Sequence, residues 1–223
     1  RKIEAVGKPL KDWDIQINFG IKTGFNDAFI IDSQTKDEIL SKCTSAYERV
    51  RTTEIIRPIL RGRDIKRYSY QYAGLYLIST FPAKGYDIDD YPAVKDYLLK
   101  FGIERLEQTG KEHIINGERV KARKKTNNKW YETQDSISYW DEFSKPKIIW
   151  KRVGSIIRFS YDTTGILGLD STCFATGESI QYICCVLNSP MGHYLLNGAP
   201  RTGNAPRAQG LARMRTRTRS GYG

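Results

Sequence analysis

The chain has 223 residues, a formal net charge of +11 and a pI near 9.4. It is long enough to bury a core without staples, as one large domain or two small lobes, and its basic balance favours a polyanionic partner. No long apolar span or secretory leader pattern is visible, the two histidines lie far apart, and the four cysteines form no CxxC pair, which disfavours a membrane span, a disulfide scaffold and a zinc site. The expectation is a cytoplasmic chain with no membrane contact and no cofactor of its own.

Residues 1–14 are expected to lead in from a preceding domain, because the chain begins at Arg1 without a methionine. Residues 15–31 read as a strand (IQINF), a glycine-bracketed loop (GIKTGFND) and a second strand (AFII). Thr35 followed by Glu38 has capping-box spacing and predicts a helix over 36–50. The segment 55–68, IIRPILRGRDIKRY, follows, and the alternation Tyr68, Tyr70, Tyr72 leads into a buried strand over 74–80, GLYLIST. A helix starts near Tyr91 with Pro92 in its first turn, has an apolar stripe of Ala93, Val94, Tyr97, Leu98 and Phe101, and is interrupted at Gly102. Residues 110–129 are polar and read as loop.

Strands over 147–150 and 156–161 form a predicted hairpin around Val153 and Gly154, and a loop through Gly165 and Gly168 leads to a strand over 172–175. A helix over 179–187 is broken by Asn188, Ser189 and Pro190, and a short helix runs on to Leu196. Strands and helices alternate without a βαβ rhythm, so the expected class is α+β, a strand-rich domain with several short helices. Residues 197–223 depart from this composition. The last 25 residues carry six arginines with no lysine or acid, and they contain only Leu211, Met214 and Tyr222 as larger apolar residues. Such a segment cannot offset its ordering entropy and is expected to be a disordered or non-native tail.

The segment 55–68 sets Arg57, Arg61, Arg63, Lys66 and Arg67 against a single acid, Asp64, between the apolar anchors Ile55, Ile56, Ile59, Leu60 and Ile65. Arginine forks suit phosphate oxygens or a guanine edge, and Gly62 permits a turn that a side chain would hinder. Three further clusters join cations to flat or amide groups. RVKARKKTNNK, residues 119–129, holds six cations and no acid, with Asn127 and Asn128 suited to adenine edges and Trp130 and Tyr131 beside them. Lys151 and Arg152 stand at the predicted hairpin, and the GIKTGFND loop offers Lys22, Thr23 and Asn26. Each cluster alone is equally compatible with a solvated basic face. No GxGxxG or GxxxxGK[ST] loop, no Asn/Asp-Pro-Pro-Tyr/Phe tetrapeptide and no ExK nuclease tripeptide occurs, so the residues speak for binding and leave enzyme status open.

In order, GIKTGFNDAFIID, IIRPILRGRDIKRY, YPAVKDYL, KWYE, FSKPKIIWKRVG, LDSTCFATGES and YICCVLNSPMGHYLL resemble the TaqI-like C-terminal specificity domain. That family is the target recognition part of adenine-specific DNA methyltransferases and fused type II restriction–modification enzymes. The resemblance implies a double-stranded DNA partner, a target recognition domain over 15–196, and an N-terminal methyltransferase domain on the same polypeptide. That parent, a site-specific adenine methyltransferase or type II restriction endonuclease, would use S-adenosylmethionine, with Mg²⁺ if it also cleaves, and would flip the target adenine out.

Carried over, Lys22, Thr23 and Asn26 fall in the early loop, Arg61, Arg63 and Arg67 on the basic segment, and Lys147, Lys151 and Arg152 on the strand motif that follows Trp130–Glu132; from the cation cluster itself, Arg123, Lys124, Lys125, Asn127 and Lys129 join them as candidate DNA contacts. Family members usually continue beyond the LNS helix where this chain passes into the arginine tail, so an incomplete C-terminal lobe is expected. The alternatives are a type I-like specificity subunit acting in trans, a catalytic fragment with an unrecognised nuclease site, and a basic globular domain with a protein partner.

Overall fold

A computed structural model describes residues 12–154 and 157–198. The expected lead-in up to residue 11, residues 155–156 of the hairpin and the arginine-rich end from 199 lie outside the described residues. In chain order the elements are β1 (Ile15–Phe19), a one-turn helix α1 (Asn26–Phe29), β2 (Ile30–Asp32), α2 (Ser33–Ser41), α3 (Ala46–Ile55), β3 (Ile56–Leu60), β4 (Leu75–Ile78), α4 (Pro92–Leu99) and α5 (Ile103–Leu106). There follow β5 (Glu112–Ile115), β6 (Glu118–Lys121), β7 (Lys147–Lys151), β8 (Phe159–Asp162), β9 (Leu167–Gly168), β10 (Thr172–Gly177), α6 (Ile180–Asn188) and α7 (Pro190–Gly198). The class is α+β. Among the described residues, no helix is long and apolar enough to cross a membrane.

Several local expectations change, and of the expected strand AFII only Ile30 and Ile31 are in β2, Ala28 and Phe29 closing α1. The helix expected over 36–50 is two helices, α2 and α3. Asp32 caps α2 by accepting from Thr35 N at 2.8 Å. The capping pair proper is Ser45 and Glu48: Ser45 Oγ accepts from Glu48 N at 3.0 Å, while Glu48 Oε2 accepts from Thr44 N at 2.8 Å. The polar stretch 110–129 contains the hairpin β5–β6, turned by Asn116 (φ 52°) and Gly117 (φ 83°). Two consecutive positive φ values match the right-handed twist of paired strands, which is why Asn-Gly serves there.

By compactness the chain divides into two units. The first takes the described residues up to Gly20, Leu60–Tyr72, and those from Tyr139 onward; the second is Ile21–Ile59 with Ala73–Ser138. The first unit is an antiparallel sheet in the order β1-β10-β7-β8. Its register places Ile148 opposite Ala175 and Trp150 opposite Cys173. Those four pack with Ile15 and Phe159 against Ile180, Ile183 and Cys184 of α6. On the other face, the ring of Phe174 meets Phe143 at 4.3 Å and Tyr139 at 6.2 Å between centroids. A sheet covered on both faces needs near-continuous apolar strands, and KIIWK is buried from Lys147 to Trp150.

Lys147 is the exception to that apolarity. It has no exposure and is ion-paired with Asp162, its opposite number on β8. Asn188 ends α6 with a side chain that substitutes for a strand neighbour: Nδ2 donates to Phe159 O at 2.7 Å and Oδ1 accepts from Phe159 N at 3.1 Å.

In the second unit β2, β4 and β3 pair antiparallel in that order. Glu48, buried, joins two helices, because its Oε1 accepts from Ala93 N at the start of α4 at 3.0 Å. Burial pushes its carboxyl pKa up, yet the backbone N–H groups of Ala93 and Thr44 bring it below the ordinary value. All five apolar anchors of 55–68 are buried, as their pattern predicts. The segment passes from the second unit to the first at Leu60. Tyr68, Tyr70 and Tyr72 build no strand; Tyr68 (φ 65°) and Tyr70 form only isolated bridges, to Ser160 and Ile65.

Candidate nucleic-acid interface

The most constrained basic element lies in the second unit. Arg123 is 4% exposed, and its fork is spent on four backbone carbonyls. Nε donates to Leu106 O at 2.7 Å, Nη1 to Thr23 O at 2.8 Å and Glu132 O at 2.7 Å, and Nη2 to Trp130 O at 2.6 Å. The guanidinium also lies 4.9 Å from the ring centre of Phe29. Burial lowers its pKa to about 10, which leaves it charged at neutral pH. Arg123 is therefore unavailable to an external ligand, and the expectation that it contacts one is corrected. A planar fork with five N–H groups can satisfy several carbonyls in one plane.

What Arg123 holds is the rest of the cluster. Gln108 Nε2 donates to Lys129 O and Glu132 O, both at 3.1 Å, and its Oε1 accepts from Thr126 Oγ1 at 2.8 Å. The Asn128 amide is turned inward, donating to Gln134 O at 2.9 Å and Thr133 O at 3.2 Å. Glu132 Oε2 accepts from Lys129 N at 2.7 Å. With these backbone positions fixed, Lys124, Lys125, Asn127 and Lys129 face solvent.

The GIKTGFND loop is tied into the same network. Gln134 N donates to Lys22 O at 3.1 Å. Gly24 (φ +80°) comes so close that a Cβ would stand 2.7 Å from Gln134 Oε1. Thr23 is buried and its hydroxyl donates to Asn26 Oδ1 at 2.7 Å, while Lys22 and Asn26 are exposed. The structure thus brings Lys22 and Asn26 into one network with the lysine loop, and turns Thr23 to scaffolding.

The first unit carries a second basic group. Gly62–Asp64 is a single 3-10 turn, in which Arg61 Nε and Nη2 grip the Asp64 carboxylate at 3.0 and 2.8 Å. Burial pushes the Asp64 pKa up, but the hydrogen bonds from Arg61 outweigh it and hold it below the usual carboxylate range. The Arg61 fork is thus occupied internally, whereas Arg63 and Arg67 are exposed. Gly62 is required by close approach: a Cβ would stand 2.8 Å from Ser171 O and 2.9 Å from Lys151 Cγ. That contact sets the arginine turn against Lys151. Arg152 is half-buried, with its guanidinium 4.9 Å from the Phe19 ring centre and its backbone N–H donating to Ser171 O at 2.8 Å. Lys147, carried over as part of the same strand motif, is sealed in the core and cannot reach a ligand.

Sequence reading missed the scaffolding roles of Gln108, Asn128 and Ser171. Among the described residues no group of three or more His, Cys, Asp or Glu is placed to hold a metal ion.

The model of the TaqI-like C-terminal specificity domain matches residues 57–204. The chain belongs to this family. The matched range takes in the arginine turn, the lysine loop and the Lys151-Arg152 strand end. Membership supports DNA recognition in restriction–modification enzymes as the class of function. Among solved structures, the chain is similar to the type IIL restriction-modification enzyme MmeI, solved in complex with DNA, at 11% identity and a TM-score of 0.46. That alignment covers 85% of this chain but only 22% of MmeI, so the chain spans about a fifth of that enzyme. No curated protein matches in sequence.

Proposed function

We propose that residues 15–196 form the DNA target recognition module of a cytoplasmic type II restriction–modification enzyme. In this reading the module directs an adenine-specific methyltransferase domain, which uses S-adenosylmethionine and precedes it on the same polypeptide. Mg²⁺ would serve a nuclease domain in a parent that cleaves. The observation that carries the reading is the family match over 57–204, which includes the lysine loop and the arginine turn with Lys151 and Arg152. Lys22, Asn26, Lys124, Lys125 and Lys129 in the second unit, and Arg63, Arg67, Lys151 and Arg152 in the first, are exposed or half-buried cations and amides suited to phosphate oxygens. Asn127 is the candidate base reader, because an outward amide can pair with both hydrogen-bonding groups of an adenine edge.

The test is selection of the whole chain against a randomised duplex pool, followed by titration of the enriched duplex at several salt concentrations. The expected result is one enriched sequence, with log K falling against log salt by about 0.9 for each phosphate neutralised. Absence of enrichment, or affinity indifferent to salt, would overturn the reading.

A further inference from the structure

Beside the elbow between α6 and α7, the first unit holds a cavity of about 510 Å³. Three of its lining side chains are Arg67, Arg158 and His193, all exposed, and its apolar wall is Ile157, Leu187 and Pro190. Among the described residues, no carboxylate lines it. Among the described residues, none of these three side chains has an ion-pair or hydrogen-bond partner.

The three groups come from separate segments, and one carbonyl joins those segments. Phe159 O accepts from Asn188 Nδ2 at 2.7 Å and from Tyr68 N at 2.8 Å. Arg158 and Arg67 are the residues immediately before the two strand-side partners, and Asn188 begins the elbow that leads to His193. Each arm is fixed independently as well. The turn bearing Arg67 closes through Lys66 N to Ser69 O at 2.8 Å, with Tyr68 in the left-handed region. The elbow is closed by Gly192 N to Ser189 Oγ at 3.1 Å and His193 N to Ser189 O at 2.9 Å. Only glycine fits at 192, since a Cβ would stand 2.2 Å from Val186 O.

We infer that this cavity seats one nucleotide of a DNA strand, its phosphodiester held by Arg67, Arg158 and His193 and its deoxyribose lying on Ile157, Leu187 and Pro190. Two guanidiniums and an imidazole, with no counter-acid among the described lining residues, select an anion, and an apolar wall beside them suits a sugar face better than a hydrated inorganic ion. The volume also exceeds what a lone phosphate fills. The contact would position the duplex and carry no sequence information. This inference rests on the DNA reading above and adds Arg158 and His193 to the residues that reading uses.

The test uses the whole chain and the duplex it selects. Arg67→Gln/Arg158→Gln should reduce the salt slope by about 0.9 for the phosphate lost, leaving the enriched sequence unchanged. Arg67→Lys/Arg158→Lys should restore most of the slope, and circular dichroism should show both variants folded. If the wild-type chain binds duplex and the double glutamine variant keeps its slope, this inference fails while the DNA reading stands. If the wild-type chain binds no duplex, both fail together. A third arm titrates inorganic phosphate while following the His193 imidazole by NMR; tight phosphate binding with an unchanged duplex slope in the variant would assign the cavity to a free anion and overturn the inference.

Discussion

Arg123 in the second unit and Lys147 in the first both stand in cation-rich stretches, and both are buried, yet they are held by opposite means. Lys147 is a compact point charge with no exposure, held by a carboxylate, Asp162, and by Phe143 O at 2.7 Å. The carboxylate is itself supported, since Thr164 Oγ1 donates to Asp162 Oδ1 at 2.7 Å and Tyr70 OH at 3.1 Å. Arg123 has no carboxylate in its hydrogen-bond shell and spreads its charge over four neutral carbonyls. The difference follows from chemistry: an ammonium in a dry core needs a counter-charge, whereas a planar fork can be satisfied by backbone dipoles. One buried cation therefore staples a sheet, and the other fixes a loop.

The largest expected effect breaks the lysine half. Asp162→Ala leaves Lys147 buried without its counter-charge, and urea denaturation should show a loss of about 3–5 kcal/mol. Replacing both partners, as Lys147→Met/Asp162→Leu, should recover most of that loss. A double variant as unstable as Asp162→Ala would mean that lost packing, rather than an orphaned charge, is responsible. Acid should act on the same pair. Burial raises the Asp162 pKa, but the Lys147 hydrogen bond and charge, with Thr164, bring it below 3.8. A depressed carboxyl contributes stability that is fully present above pH 3.8 and is lost as pH falls through the lowered folded value. Wild-type stability should thus fall with a steeper acid limb below pH 3.8 than that of the apolar double variant.

The arginine half should break more gently and more locally. Arg123→Met removes four hydrogen bonds at once, and because the carbonyls can partly turn to water the expected loss is roughly 1.5–3 kcal/mol. Its distinctive sign is local: amide hydrogen exchange should accelerate over residues 124–129 and leave β7 and β10 protected. Arg123→Lys should not rescue it, because a single ammonium cannot replace a fork satisfying four carbonyls and has no acid to pair with. Full rescue by lysine would erase the distinction between the two sites.

How much of this could be read beforehand depends on the range of the interaction. The anchors Ile55, Ile56, Ile59, Leu60 and Ile65 were legible because burial follows local periodicity, and all five are in the core. The Ser45–Glu48 cap and the Asn116-Gly117 turn are equally local signals, and neither entered the expectation of one helix over 36–50 and a loop over 110–129. Arg123 and Lys147 were not legible as buried. The carbonyl of Thr23 lies 100 residues before Arg123 in sequence, and Asp162 lies 15 after Lys147. Nothing in a run such as KARKKTNNK says which cation turns inward, since that is decided by partners elsewhere in the chain.

The smallest effect tests the side of the lysine loop that faces outward. Lys125 is exposed, and Arg123 and Gln108 hold the backbone around it, so Lys125→Gln should leave stability and hydrogen exchange unchanged. If Lys125 sits on one phosphate, the substitution removes about 0.9 from the salt slope. The wild-type advantage would then shrink by about threefold between 50 and 200 mM salt, on every duplex sequence alike. Equal losses on preferred and random duplexes would place Lys125 on the backbone of the ligand and leave sequence choice to Asn127. A loss confined to the preferred duplex would make Lys125 a base reader. The loop would then divide between an inner arginine that shapes it and outer residues that all contribute to specificity.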